Sequence, residues 1–346
     1  MKPIAVTGIG MVSALGWSPE DTWAAIQAER SGLGRLALFE SPRCGHVPVG
    51  QVQGDPSSKS LLRSGSRTDH FAVYAAGQAF ADAGLGELSR PVRRRIGVVL
   101  GTSTGGMIDG EAFLDNLIRN GSFEMSLLRH HLCSCPANAI ARRLGLSGFR
   151  GTVSDACASG ASAVTTACDV IDSGSADIVL AGGADSLTRL TLNGFSSLLN
   201  VSARGCAPFD ADRDGMNLGE GAGILVLEPL EGAAARGARI RAVVLGFANT
   251  CDAFHATAPR PDGSGALAAM TRALDAAGVS PADVGYVNAH GTGTKENDAA
   301  EARAIESLFG AHTPPVSSTK RFFGHTLAAA GAIEAIVCVL ALEHQA

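Results

Sequence analysis

One cysteine and two histidines sit in the kind of surroundings that chemistry requires. Cys157 lies in Ser154-Asp155-Ala156-Cys157-Ala158-Ser159-Gly160, where a β-type run turns into a small-residue helix. Small neighbours leave its sulfur uncovered, and the positive end of a helix dipole favours a thiolate there. His290 and His325 each occupy a Gly-flanked turn, in the runs NAHGTGT and FFGHTL. A lone histidine in such a turn is more often a structural donor. Two of them, with Lys320 five residues before His325 and a poised cysteine elsewhere, can receive a developing oxyanion through ring N–H groups. Zinc is the weaker reading, because the three residues are far apart in sequence and none has a second ligand at helical spacing, so no metal is expected. The adjacent His130 and His131 have no comparable setting.

The elements that must position these residues follow a repeating order. Strand-like runs at Ile4–Val6, Ile96–Leu100, Ile178–Leu180 and Val284–Val287 each lead into a Gly-rich turn. Between them, 69–83, 157–172, 265–277, 297–309 and 326–342 have helical periodicity or propensity. This alternation predicts an α/β fold. Two kinds of segment also recur in the same order: Val98–Thr104 resembles Val287–Thr294, and Gly151–Val164 resembles Pro315–Ile336. A duplicated half explains both, and it places Cys157 and His325 alike, at the mouth of a strand before a helix. The stretch Pro48–Ser66 reads as a surface loop. The Gly101 loop, GTSTGG, lacks the Lys-Ser/Thr of a phosphate-binding loop and the spacing of a dinucleotide fingerprint.

Composition narrows the classes further. A chain of 346 residues fits one large domain or two of about 150 residues. With 46 % apolar and 18 % charged residues it can bury a sizeable core. Its 28 Lys and Arg against 33 Asp and Glu, net −5, give no footprint for wrapping nucleic acid or lying on an anionic membrane. No uninterrupted apolar run approaches a membrane span, and the first twenty residues do not read as an export signal. The eight cysteines include no Cys-x-x-Cys pair, which suits reduced thiols in a cytoplasmic protein. The 43 glycines with only 5 % aromatics suit close packing of helices on sheets.

Four separated motifs then carry a resemblance. DACASG around Cys157, PFDADRDGMNLGEGAGILVLEPL from Pro208 to Leu230, NAHGTGTKENDAAE around His290 and STKRFFGHTLAAAGAIE around Lys320 and His325 resemble the β-ketoacyl-acyl-carrier-protein synthases, the decarboxylating condensing enzymes of the thiolase superfamily. The opening AVTGIGMVSALG fits too, so the resemblance runs from end to end. It implies a five-layered α-β-α-β-α fold with internal duplication, its halves at 1–240 and 241–346. It also implies decarboxylative Claisen condensation of an acyl thioester with a malonyl extender, in fatty-acid or polyketide elongation. Cys157 is then the nucleophile, with His290 and His325 as the enolate-stabilising donors. Lys320 orients the site in balance with Glu334, Asp298 and Glu301 support the histidine loop, and Thr292 and Thr294 contact pantetheine. A thioester is an activated acyl donor matched to a thiolate, and enolate charge needs preorganised donors in a dry site, so neither cofactor nor metal is required. The charged run Asp210, Asp212, Arg213, Asp214 and Glu220 is expected to be structural.

Expected partners are an acyl carrier protein and a second ketosynthase-like subunit, identical or not. Arg63 and Arg67 are the preferred docking pair for the acidic carrier, ahead of Arg93, Arg94 and Arg95 with Arg142 and Arg143. The family continues past the helix that follows His325, through two strands, to a Gly-Phe-Gly-Gly loop; the sequence ends before them, so an incomplete second half is expected. The alternative function is a non-catalytic partner subunit like a chain-length factor, which typically lacks the nucleophile. A non-decarboxylating thiolase is disfavoured by the paired histidine motifs and the Lys320 loop.

Overall fold

The structure is a computed structural model and describes residues 2–346. Runs of β-branched and small residues build a six-stranded mixed sheet from β1 (Ile4–Val12), β2 (Ile96–Gly101), β3 (Arg150–Val153), β4 (Ile178–Asp185), β5 (Gly221–Pro229) and β6 (Ala242–Val244). Its order is β3-β2-β4-β5-β1-β6. β2 runs parallel to β3 and β4, with Val98 opposite Arg150 and Leu180. β5 is antiparallel to both β4 and β1, and β1 to β6. β1, β2 and β4 are buried along their whole length, as expected of strands covered on both faces. β7 (Val287–Asn288) and β8 (Val316–Ser317) form a second, parallel pair.

Helices separate and cover these sheets. α1 (Arg67–Asp82) and α2 (Cys135–Leu144) pack on one face of the large sheet, joining Phe71, Ala75 and Ile140 to Val98 and Ile224 in one apolar cluster. α3 (Ser159–Asp172) and α6 (Ala330–His344) cover the other face, with Ala163, Ala167, Ile333 and Ile336 against Val179 and Leu225. On the far side of α6, Asn288 of β7 donates to the Glu334 carbonyl. α4 (Ser264–Ala277) and α5 (Lys295–Phe309) close the stack, with Met270, Ile305 and Phe309 on Val287 and Val316. The succession is α-β-α-β-α. The parallel pair β2–β3 leads to Cys157 and α3, as β7–β8 leads to His325 and α6.

Several expected elements shift. The strand expected at Val284–Val287 is reduced to Val287–Asn288, and α6 begins at Ala330 because Leu327–Ala329 form a tighter 3₁₀ turn. Pro48–Ser66 is less of a surface loop than expected: Val49 and Val52 are buried and Ser57–Ser60 make a helical turn. The stretch Leu327–His344 is long and apolar enough for a membrane span, although Glu334 interrupts it. Here it is a core helix, with Ile333, Ile336, Val337 and Leu340 buried between layers.

Close approach of α1 to β1 explains one glycine. A Cβ built on Gly10 lies 2.0 Å from the Ala75 carbonyl oxygen on α1. The contact is to helix backbone, which cannot give way as a flexible side chain can. Gly10→Ala is therefore expected to lower the thermal unfolding midpoint, by an overpacking cost of about 1–3 kcal/mol; an unchanged midpoint would show that the layers are not held this close.

Candidate active site

Cys157 sits on the turn between β3 and α3, partly buried. Ala156, just before it, has φ 46°, in the left-handed region, and the Ser159 hydroxyl donates to its carbonyl at 2.6 Å. The same Ser159 oxygen accepts from Asp155 N at 2.8 Å, so a small polar residue pins the nucleophile's turn.

His290 follows β7. Glu301 on α5 accepts from His290 N and Gly291 N at 2.7 and 2.8 Å, which fixes the loop. Asp298, one turn earlier, accepts from Phe209 N at 2.7 Å and Gly293 N at 3.2 Å. Both carboxylates thus hold the histidine loop through its backbone. Thr292 and Thr294 are buried, their hydroxyl oxygens 2.8 Å apart. Lys320, with no exposed surface, donates to the His290 carbonyl at 2.6 Å, contacts His290 Nδ1 at 3.3 Å and pairs with Glu334 on α6.

His325 lies beside His290, the rings 5.2 Å apart and nearly perpendicular. Its Nδ1 accepts from Leu327 N at 3.1 Å, which assigns the ring proton to Nε2. That Nε2 is buried and meets no protein acceptor. The ammonium at His290 Nδ1 assigns its proton to Nε2 in the same way. Burial first, then the Lys320 charge, holds both imidazoles well below the ordinary histidine range, and His290 adds to the effect at His325. Both are neutral donors at pH 7.

The Cys157 sulfur and a ring nitrogen of each histidine lie within 4.8 Å of one another. Such a trio has the span of a metal site. The hydrogen bonding does not suit a cation: the His325 ring nitrogen facing the site carries a proton instead of a lone pair, and a lysine ammonium stands against His290. What the arrangement offers is a sulfur nucleophile facing two neutral N–H donors in a partly buried recess, the parts an acyl-transfer reaction with an oxyanion intermediate needs.

Three expectations need correction. The thiolate favoured by the helix start is outweighed: burial pushes the Cys157 thiol up to about 11, Lys320 opposing and the Asp185 and Glu334 charges adding to it. The resting group is a thiol. Arg67 is not available as a docking residue, because it makes a two-pronged ion pair with fully buried Glu220 at 2.6 and 2.9 Å and donates to Val52 O. Arg63 is exposed. His130, set aside in the sequence, bridges buried Asp69 and Ser64, 3.0 Å from each, and so anchors the loop that carries Arg63.

Elsewhere in the charged run, Arg213 donates to the carbonyls of Asp210, Thr294 and Lys295, stapling that loop to the start of α5. Sequence reasoning missed Asp185, a wholly buried carboxylate at the end of β4. No motif marks it; only its place at the mouth of a buried strand, beside the GTSTGG loop, could have drawn notice.

The layered duplication and the Cys-His-His recess define a thiolase-fold condensing-enzyme site. The chain belongs to the β-ketoacyl synthase family: "Beta-ketoacyl synthase, N-terminal domain" matches residues 1–233 and "Beta-ketoacyl synthase, C-terminal domain" matches 241–346. It is 40 % identical to the 3-oxoacyl-[acyl-carrier-protein] synthase 2 of Vibrio cholerae, over 99 % of this chain and 87 % of the relative. Identity to the protein of the same name from Synechocystis sp. is 38 %, over 99 % and 85 %. Among solved structures, the ishigamide ketosynthase/chain length factor superposes with a TM-score of 0.92 at 36 % identity, covering 99 % of this chain and 86 % of that one.

Two measurements test this site. Alkylation of Cys157 by iodoacetamide should accelerate by about tenfold per pH unit from pH 7 to 10, because the thiolate fraction rises toward a value of about 11; a plateau below pH 8 would mean a preformed thiolate. Arg67→Ala should cost about 3–5 kcal/mol of stability by leaving the Glu220 carboxylate buried and unpaired, read as a large drop in melting temperature.

Proposed function

We propose that the protein is a β-ketoacyl-acyl-carrier-protein synthase that joins an acyl chain held on Cys157 to a malonyl unit, with loss of carbon dioxide. The convergence of the Cys157 sulfur with two ring N–H donors, one of them without a protein acceptor, carries this reading. In the first half-reaction, the Cys157 sulfur bonds to the acyl carbonyl carbon. The bond from that carbon to the carrier's sulfur breaks, and the thiol proton ends on the leaving sulfur. The exchange consumes no net proton, so a thiol with a raised pKa is a workable starting state.

In the second half-reaction the malonyl carbon–carboxylate bond breaks, and its electron pair becomes an enolate whose oxygen receives the Nε2–H groups of His290 and His325. The enolate carbon then attacks the acyl carbonyl, a carbon–carbon bond forms, and sulfur leaves Cys157's acyl carbon and regains one proton from solvent. Removing one such preorganised donor typically costs 10²–10³ in rate. Lys320, held by Glu334, keeps His290 oriented and adds to burial in keeping it neutral. Thr292 and Thr294 fit the role of pantetheine contacts, and Arg63 that of a carrier-docking residue.

A cytoplasmic setting is supported by eight cysteines that are all unpaired. Pairing with a ketosynthase-like subunit is supported by β3, whose outer edge has no partner strand in the sheet order and leaves Arg150 and Thr152 accessible to a second strand. A subunit without catalytic activity is the weaker reading, since Cys157 is present and faces both histidines.

Mass spectrometry after incubation with an acyl-carrier-protein thioester tests the assignment: the acyl adduct should appear on Cys157 and vanish in Cys157→Ala, whereas Cys157→Gln should still release carbon dioxide from malonyl carrier protein. An elongating Cys157→Ala variant would refute the nucleophile. Arg63→Glu should raise the KM for carrier-bound substrate far more than for a small thioester mimic, and equal effects on both would remove Arg63 from the docking surface.

A further inference from the structure

Resting on that reading, we propose that Asp185 is a positioning residue, a single buried carboxylate that ties together the two turns carrying Cys157 and His325 and so sets their separation. Asp185 ends β4 with no exposed surface, and no cation pairs with it among the described residues. Taking a carboxylate out of water without a counter-ion is unfavourable unless its oxygens are saturated with hydrogen bonds, and here they are. Its Oδ1 accepts from Thr102 Oγ1, Thr104 N and Thr104 Oγ1, each at 2.8 Å, and from Ser103 N at 3.0 Å. Its Oδ2 accepts from Ser103 N at 3.1 Å and from Ala328 N at 2.9 Å.

These bonds lead to both reactive residues. On one side, the Ser103 hydroxyl donates to the carbonyl of Ala156, the residue before Cys157, at 3.2 Å. On the other, Ala328 follows Leu327, whose N–H fixes the His325 ring. Ala156 and Leu327 both have left-handed backbones, with φ 46° and 52°, and neither is a glycine. Such conformations persist where surrounding bonds over-determine them. The two turns are thus strained, and Asp185 is bonded directly into the second, through Ala328 N, and reaches the first through Ser103.

Packing brings the second turn within reach. A Cβ on Gly183, two residues before Asp185, lies 2.3 Å from the Ala328 carbonyl oxygen, so only a glycine lets that turn rest on the end of β4. A carboxylate suits the junction because it accepts from several directions with both oxygens, whereas an amide in its place turns one acceptor into a donor. In Asp185→Asn either the Ala328 side or the Ser103–Thr104 side loses its acceptor.

The test measures two half-reactions separately: acyl loading of Cys157 in a single turnover, and decarboxylation of malonyl carrier protein. Asp185→Asn should slow both, by up to about 100-fold for a displacement near 1 Å, with KM changed by less than about threefold. Ser103→Ala breaks only the link to Ala156, and should slow loading while leaving decarboxylation near the wild-type rate. NMR of nitrogen-labelled histidine supplies a readout independent of turnover: His325 should show the Nε2–H tautomer in the wild type and a mixture of tautomers in Asp185→Asn. Unchanged half-reactions and an unchanged His325 signal in Asp185→Asn would overturn the proposal, as would Ser103→Ala slowing both half-reactions equally. A wild-type protein that performs neither half-reaction would instead refute the functional reading, and the histidine signal would still decide the role of Asp185.

Discussion

The Lys320 ammonium, enclosed by protein on every side, is the charge around which the site is organised. A buried ammonium persists only with partners of good geometry. Here they are the Glu334 carboxylate from α6 and the His290 carbonyl and ring from the loop after β7. Satisfying that one charge obliges three separate pieces of chain to meet: the turn after β8, the central helix and the histidine loop. The same charge adds to burial in keeping both imidazoles neutral and partly offsets the cost of ionising Cys157. Electrostatic order and spatial order at the site therefore have a common origin.

The reaction places two demands on such a recess that ordinarily conflict. A carbon dioxide-releasing step needs little water and strong donors, whereas a nucleophile needs to ionise. The structure favours the first: its donors are neutral and preorganised, and its sulfur is protonated at rest. Proton-neutral thioester exchange makes this workable, because the thiolate need exist only as the carbonyl is attacked. In the proposed reaction, burial strengthens the enolate–imidazole interaction by the same lowering of the local dielectric that raises the thiol.

Much of this was legible in the sequence. The α/β alternation, the duplicated strand-turn-helix and the Cys157, His290, His325 and Lys320 set come from local patterns, glycine-flanked turns and small residues at a helix start, and the structure brings those four side chains together. The parts that escaped are tertiary. Nothing local distinguishes exposed Arg63 from Arg67, which sits four residues on and is held by Glu220 from a distant segment. The ionisation of Cys157 depends on how much protein covers it, which the helix-start argument cannot supply. His130 and Asp185 gain their meaning from partners 61 and 143 residues away, Asp69 and Ala328 respectively. The shortened β7 reflects pairing with a strand as short as itself, which propensity alone does not encode.

The distance along the chain between Cys157 and His325 has a kinetic meaning. The first follows a parallel strand pair closed around β2, the second a parallel pair closed around β7, and the two become neighbours only when α3 packs on α6. Contacts of such long sequence separation form late, since the loop-closure entropy must be met before they give any return. A chain with one half folded presents a cysteine without donors or donors without a nucleophile. The assembled site, nucleophile together with both donors, is thus a property of the whole packed chain and of neither half alone.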